Sequence, residues 1–110
     1  MRILVSIAPR SYREAIARTL TKERPHHEVR IAAPEDLGRE VAQFEPHLVV
    51  VNEVTTRVQE TVTSVIRIMY EDSLAARVYV DDQESSEVQD ISMKDLLGAV
   101  DETERIVSQG

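Results

Sequence analysis

The side chains that could do chemistry lie where apolar runs of the chain end. Asn52 and Glu53 directly follow the run "LVVV", and Asp81 and Asp82 directly follow the alternating segment "ARVYV". Three carboxylates and an amide supply the oxygen ligands that a divalent cation such as Mg²⁺ prefers. A charge run of this kind is more often the solvated end of a strand, so we expect no bound metal.

A second group of candidate residues surrounds the start of the first expected helix. The backbone amides and the positive dipole end of a helix N-terminus attract anions, and Arg10 and Arg13 add positive charge there. No glycine in this stretch lets a phosphate approach the backbone closely. The candidate ligand-binding edge therefore comprises Arg10, Arg13, Asn52, Glu53, Asp81 and Asp82.

The remaining reactive residue types do not form a recognisable site in the sequence. His26 and His27 begin an expected strand, and adjacent strand residues point to opposite faces, so we expect them not to share a metal. Ser85 and Ser86 lie in an acidic segment without a nearby histidine, and the chain has no cysteine. We therefore predict a protein that is not an enzyme and that carries no cofactor.

The composition bounds the kind of protein. At 110 residues the chain is long enough for one domain, residues 1–110, and too short for two of ordinary size. A net charge of −7 repels nucleic-acid phosphates and anionic lipids, so we expect neither as a partner. There is no apolar run of membrane-spanning length and no signal-peptide pattern, which predicts a cytoplasmic location.

The first half of the chain alternates strands and helices. Apolar runs predict strands over about residues 2–7, 27–32 and 47–52, and amphipathic spacing predicts helices over about 11–24 and 34–44. Ser11 and Glu14 have the spacing of a capping box for the first helix. Short connections and doubly buried strands indicate a parallel sheet with helices on both faces, whose carboxyl edge is where ligands bind.

The second half departs from this alternation. Residues 60–70 fit either a helix or a strand, and their Thr, Val and Ile content favours a strand. We predict an antiparallel hairpin of about 61–70 and 75–81, with a third helix followed by a parallel strand as the alternative. Residues 83–90 are expected to be a polar loop, and Ser92 with Asp95 caps a last helix over about 92–107. The predicted fold class is a three-layer α/β sandwich.

Residues 2–53 resemble a receiver domain of bacterial response regulators, which has a flavodoxin-like fold. The resemblance lies in "MRILV" as first strand, "SYREAIARTL" as first helix and "FEPHLVVVNE" before and within the third strand. In receivers an acidic pair after the first strand helps to hold Mg²⁺, and an Asp ending the third strand takes the phosphoryl group. A Ser or Thr follows the fourth strand and a Lys follows the fifth.

The receiver positions are vacant in this sequence. The acidic pair falls on Ile7 and Ala8, and the phosphoacceptor falls on Asn52, whose amide cannot form an acyl phosphate. No Lys-Pro signature occurs, and Lys94 is the only lysine besides Lys22. The resemblance thus implies a degenerate receiver, and Asn52 either marks its lost acceptor or simply ends a strand and bonds the adjacent loop.

The chain is therefore predicted to be a non-enzymatic regulatory or protein-interaction module with a protein partner in signalling. The alternative is a domain that binds a small molecule, an anion or a divalent metal at the carboxyl edge. A three-layer sheet covered by only three helices would leave part of one face exposed, which predicts a two-fold homodimer. The residues expected on that face are Val62, Ile66, Ile68, Val78 and Val80.

Overall fold

The computed structural model describes residues 1–69, 75–80, 83–88 and 92–109, with the strands at 75–80 and 83–88 described by their backbone alone. The strands are β1 (Arg2–Ser6), β2 (Glu28–Ile31), β3 (Leu48–Val51), β4 (Ser64–Met69), β5 (Ala75–Val80) and β6 (Gln83–Val88). The helices are α1 (Arg10–Glu23), α2 (Leu37–Phe44), α3 (Thr56–Thr61) and α4 (Met93–Gln109), and a 3₁₀ turn at Pro34–Asp36 precedes α2.

The strands form one six-stranded sheet in the order β2-β1-β3-β4-β5-β6. The first four are mutually parallel, as the predicted α/β class requires, and their order is consistent with a flavodoxin-like core. β5 pairs antiparallel with β4, and β6 pairs antiparallel with β5. Residues 70–74, where the turn of the expected hairpin falls, lie outside the described residues, so the hairpin as a unit stays a prediction.

Two hydrophobic clusters, one on each face of the sheet, explain why the central strands are apolar throughout. Ile3 and Val5 of β1 face a cluster built with α1 and α4, whereas Leu4 faces a cluster built with α2 and α3. All three side chains are fully buried. Because successive strand residues point to opposite faces, burial on both sides requires an uninterrupted apolar run, and β1 and β3 have one.

The exposed sheet face expected from the sequence is absent around β4. Val62, Ile66 and Ile68 are only 6%, 0% and 3% exposed, so their predicted place on a dimer face is wrong. Ile66 and Ile68 pack in the cluster with α4, and Val62 packs in the cluster with α2 and α3. α3 is not part of the preferred prediction, which keeps a third helix only as its alternative, and together with α4 it covers β4 on both sides. The side chains of Val78 and Val80 lie outside the described part of the structure.

Two further segments differ from the sequence prediction. Residues 56–61 form α3, whose start is capped by the Thr55 hydroxyl accepting from the Val58 amide at 3.2 Å. Residues 83–88 form β6 rather than a polar loop. A terminal strand can be held by backbone pairing with its one neighbour, so it needs no apolar face. For this reason the polar sequence of β6 does not indicate a strand.

None of the described helices has both the length and the apolar character needed to cross a membrane.

The two predicted helix caps have opposite outcomes. α1 begins at Arg10, after Pro9, and in the described structure no side chain caps it, so the Ser11 cap is wrong. Glu14 instead pairs with Arg10 at 2.9 Å. The second cap is confirmed: the Asp95 amide donates to the Ser92 hydroxyl at 3.2 Å, and the Ser92 amide donates to the Asp95 carboxylate at 3.1 Å. The latter bond is the main cause that lowers the pKa of Asp95.

Candidate functional site

The carboxyl edge of the parallel strands is held together by the side chain of Asn52. Its Oδ1 accepts a hydrogen bond from the Ala8 amide at 2.7 Å, and its Nδ2 donates to the Ile68 carbonyl at 3.4 Å. The Arg67 side chain donates to the Asn52 carbonyl at 3.2 Å. Asn52 therefore joins the loop after β1 to strand β4 across the end of β3, which matches the strand-ending role left open by the sequence.

Ile7, Ala8, Asn52 and Glu53, at the positions that the predicted receiver resemblance assigns to ligand binding, offer no set of anionic ligands. Ile7 is fully buried in the apolar cluster, and Ala8 carries no side-chain oxygen. The amide of Asn52 is occupied on both its oxygen and its nitrogen. Glu53 is exposed and is the one carboxylate among these four residues. A single exposed carboxylate is a weak site for Mg²⁺, which requires several oxygen ligands in octahedral geometry.

A cleft of about 360 Å³ opens at the same edge, beside the end of β1 and β3. Its lining includes Ser6, Ala8, Pro34, Leu37, Asn52 and Glu53. Ser6 is only 1% exposed, and its hydroxyl has no hydrogen-bond partner in the described part of the chain. The order of the strands reverses between β1 and β3, and ligands of open α/β sheets bind in the crevice at such a point. The sequence gives little indication of Ser6, whose only local signal is a hydroxyl at the end of a buried strand.

The two arginines of the candidate edge belong to a different cavity, of about 290 Å³. Arg13 donates to the Ala32 carbonyl at 3.0 Å, and Arg10 is paired with Glu14. The carboxylates of Asp36 and Glu40 line the same cavity and offset the positive charge. The structure therefore places Arg10 and Arg13 apart from the cleft of Asn52 and Glu53, and the cavity is poorly suited to an anion. Asp81 and Asp82 lie outside the described residues.

A third group of residues, His26, His27 and Glu104, is brought together by the fold, although the sequence predicts that the two histidines do not share a metal. Both histidines precede β2, which begins at Glu28, so the alternation of strand side chains does not separate them. Their ring centroids are 3.9 Å apart, and both rings contact the carboxylate of Glu104 on α4. Because His26 and Glu104 are 78 positions apart in the chain, no sequence spacing signals this contact.

The protonation states in this histidine cluster follow from burial and hydrogen bonding. Burial of the ring is the largest cause that lowers the pKa of His27. The hydrogen bond with His26 is the largest cause that lowers the pKa of Glu104. A lowered imidazole pKa favours the neutral ring and a lowered carboxyl pKa favours the carboxylate. At neutral pH the cluster therefore presents a neutral His27 beside an ionised Glu104.

Comparisons of the chain with models of protein families, with curated proteins and with solved structures give no match. The fold by itself defines a mixed α/β protein with four parallel strands between helical layers. Fold class alone does not specify function, which resides in particular sites. The resemblance of residues 2–53 to a receiver stays a prediction.

Proposed function

We propose that this protein is a non-enzymatic regulatory or protein-interaction module, with a receiver-like core that lacks a phosphoacceptor. The observation that carries this proposal is the environment of Asn52 at the end of β3. Its side chain has no nucleophilic oxygen, and its amide is engaged by the Ala8 amide and the Ile68 carbonyl. Phosphoryl transfer needs an anionic acceptor with a metal beside it, and the neighbouring residues Ile7 and Ala8 supply no metal ligand.

The proposed contact surface is the outer edge of the sheet. β6 is the terminal strand of the described sheet, so the backbone groups along its outer side have no strand partner among the described residues. Such an edge can receive a further strand from another chain, in the manner of β-augmentation. We include in this proposal a hairpin turn at residues 70–74, which would join β4 to β5 and carry β6 outward from the helix-covered core.

The chemistry of β6 bears on which partner is favoured. Its sequence, "QESSEV", carries Glu84 and Glu87, and the whole chain has a net charge of −7. A second copy would bring like charges together, whereas a segment rich in Lys or Arg would be attracted. The burial of Val62, Ile66 and Ile68 also removes the exposed face on which the expected homodimer rested. For both reasons, a basic protein segment is the partner that we favour at this edge.

Incubation with acetyl phosphate and Mg²⁺, followed by intact mass measurement, tests the absence of phosphoryl chemistry. We expect no added phosphoryl group on the wild type or on Asn52→Asp. The variant gains a carboxylate, but Ile7 and Ala8 still provide no oxygen to hold Mg²⁺ beside it. The substitution also replaces the Nδ2 donor with an oxygen facing the Ile68 carbonyl, so we expect a lower melting temperature.

The matched control is Glu53→Gln, which changes the adjacent exposed carboxylate without touching the Asn52 hydrogen bonds. This variant should gain no phosphoryl group, and its melting temperature should equal that of the wild type. A phosphoryl group on the wild type would overturn the non-enzymatic proposal. Labelling of Asn52→Asp alone would contradict the claim that the metal-binding positions are vacant.

A second candidate function, binding of a small molecule at the carboxyl edge, is favoured by the Ser6 cleft. A buried hydroxyl without a partner is uncommon in native structures, and a bound ligand group would satisfy it. We expect Ser6→Ala alone to leave stability unchanged or to raise it by up to about 1 kcal/mol, because it removes an unsatisfied polar group. With a ligand bound, the wild type should instead be more stable than Ser6→Ala, because only the wild type has the hydroxyl that the ligand contacts.

A thermal-shift screen of nucleotides, sugar phosphates and carboxylic acids at millimolar concentration measures this effect. A ligand present at 100 times its dissociation constant stabilises the folded protein by about 2.7 kcal/mol, which is readily seen as a higher melting temperature. The shift should be smaller in Ser6→Ala and should persist in Ser11→Ala, the same substitution at an exposed position of α1. The cleft would be excluded as a binding site by shifts that are equal in wild type and Ser6→Ala.

A further inference from the structure

We propose that His26, His27 and Glu104 form a binding site for a divalent transition-metal ion, with Zn²⁺ the best match to these ligands. His26 Nε2 lies 3.2 Å from Glu104 Oε1, and His27 Nε2 lies 3.2 Å from Glu104 Oε2. Zinc bonds to His and Glu are about 2.0–2.2 Å long, so two ligand atoms on a tetrahedral zinc lie about 3.3 Å apart. The two His–Glu contacts match that length, each with its own oxygen of Glu104, and one ligand atom from each of the three residues lies within 4.8 Å of the others.

The environment of His27 supplies an independent indication of a ligand. Its side chain is 0% exposed, yet Nε2 has no hydrogen-bond partner in the described structure. The 3.2 Å contact with Glu104 has the distance of a hydrogen bond without the required direction. The ring is oriented from its other side, because Nδ1 lies 3.1 Å from the Met1 nitrogen. In metal-binding histidines the second ring nitrogen donates its N–H to a neighbouring group, so an ion at Nε2 requires Nδ1 to carry the ring proton and the Met1 amine to accept it.

The ligands are held in place by contacts outside the cluster. Thr103, next to Glu104 on α4, is hydrogen-bonded to Ser64 of β4 at 2.7 Å. Arg24, just before the histidines, donates to both carboxylate oxygens of Asp101 on α4, at 2.8 and 2.9 Å. These two attachments fix α4 to the sheet and fix the histidine loop to α4. The site therefore needs little rearrangement to receive an ion.

The exposure of the cluster indicates how the coordination is completed. The side chains of His26 and Glu104 are 56% and 37% exposed, so water reaches the side of the cluster opposite His27. Two His, one Glu and a water molecule make four-coordinate zinc, which is a common ligand set. The ion would link the loop before β2 to α4, and thereby tie the first half of the chain to its last helix.

Isothermal titration of zinc chloride into the metal-free protein tests the proposal. We expect one equivalent to bind the wild type, and Glu104→Gln and His26→Asn each to weaken binding at least 10-fold. Cobalt substitution gives a second readout, since four-coordinate Co²⁺ has intense visible absorption and six-coordinate Co²⁺ does not. His27 is left intact in this design, because the burial of its ring makes substitutions there liable to unfold the protein.

Two matched controls carry the same residue types outside the cluster. His47→Asn removes a histidine that accepts from the Arg2 amide at 3.0 Å, and Glu102→Gln removes an exposed carboxylate of α4. Both should bind zinc as the wild type does. Equal affinity in wild type, Glu104→Gln and His26→Asn would overturn the proposal, as would the lack of saturable binding in the wild type. This site is separate from Asn52 and from β6. A negative result in the zinc titration therefore does not bear on the proposed interaction function.

Discussion

Ile66→Ala is expected to lower the free energy of unfolding by about 2–5 kcal/mol. Ile66 lies in the middle of β4, is fully buried and packs in the cluster formed with α1 and α4. The substitution removes apolar contacts within this cluster and leaves a cavity that the packed strands cannot close. Urea denaturation, followed by circular dichroism, measures the change.

The same variant separates a core residue from a dimer-interface residue. If Ile66 belongs to the core of one chain, the loss of stability is independent of protein concentration. Ile31→Ala, on the edge strand β2 where the side chain is 43% exposed, is the matched control and should change stability by less than about 1 kcal/mol. A stable Ile66→Ala protein that sediments as a smaller species than the wild type would contradict the buried position and restore the predicted dimer face.

Thr103→Val is expected to destabilise the protein by about 1–3 kcal/mol, although it hardly changes the volume of the side chain. Thr103 is fully buried where α4 meets β4, and its hydroxyl oxygen lies 2.7 Å from that of Ser64 and 2.9 Å from the Ala99 carbonyl. A hydroxyl has one proton, so the consistent arrangement has Ser64 donating to Thr103 and Thr103 donating to Ala99. Valine would leave the buried Ser64 hydroxyl without its acceptor.

A double-mutant cycle with Ser64→Ala tests this arrangement. The double variant should be less destabilised than the sum of the two single variants, because the second substitution removes the orphaned hydroxyl. Thr21→Val is the control, since its hydroxyl makes the same type of bond, to the Ala17 carbonyl at 2.9 Å, but at an exposed position. Strictly additive effects, or a Thr103→Val variant as stable as Thr21→Val, would show that the two buried hydroxyls are not coupled.

The sequence by itself determined the elements whose signals are local. Strands β1 and β3 are continuous apolar runs, α1 and α2 have helical apolar spacing, and Ser92 with Asp95 forms the cap at the start of α4. It also established that Asn52 cannot be a phosphoacceptor, because that conclusion needs only the chemistry of an amide. In each case the information lies within a few neighbouring residues, which is the range over which periodicity and capping act.

Only the tertiary structure decided which surfaces meet. The apolar pattern of β4 shows that Ile66 and Ile68 are buried but does not say whether α4 or a second chain covers them. Likewise, no local pattern places His26 and His27 against Glu104, because the contact is made by the docking of α4 beside the loop before β2. Hydrophobic burial is non-directional, so a sequence encodes the need for a partner more clearly than the identity of that partner.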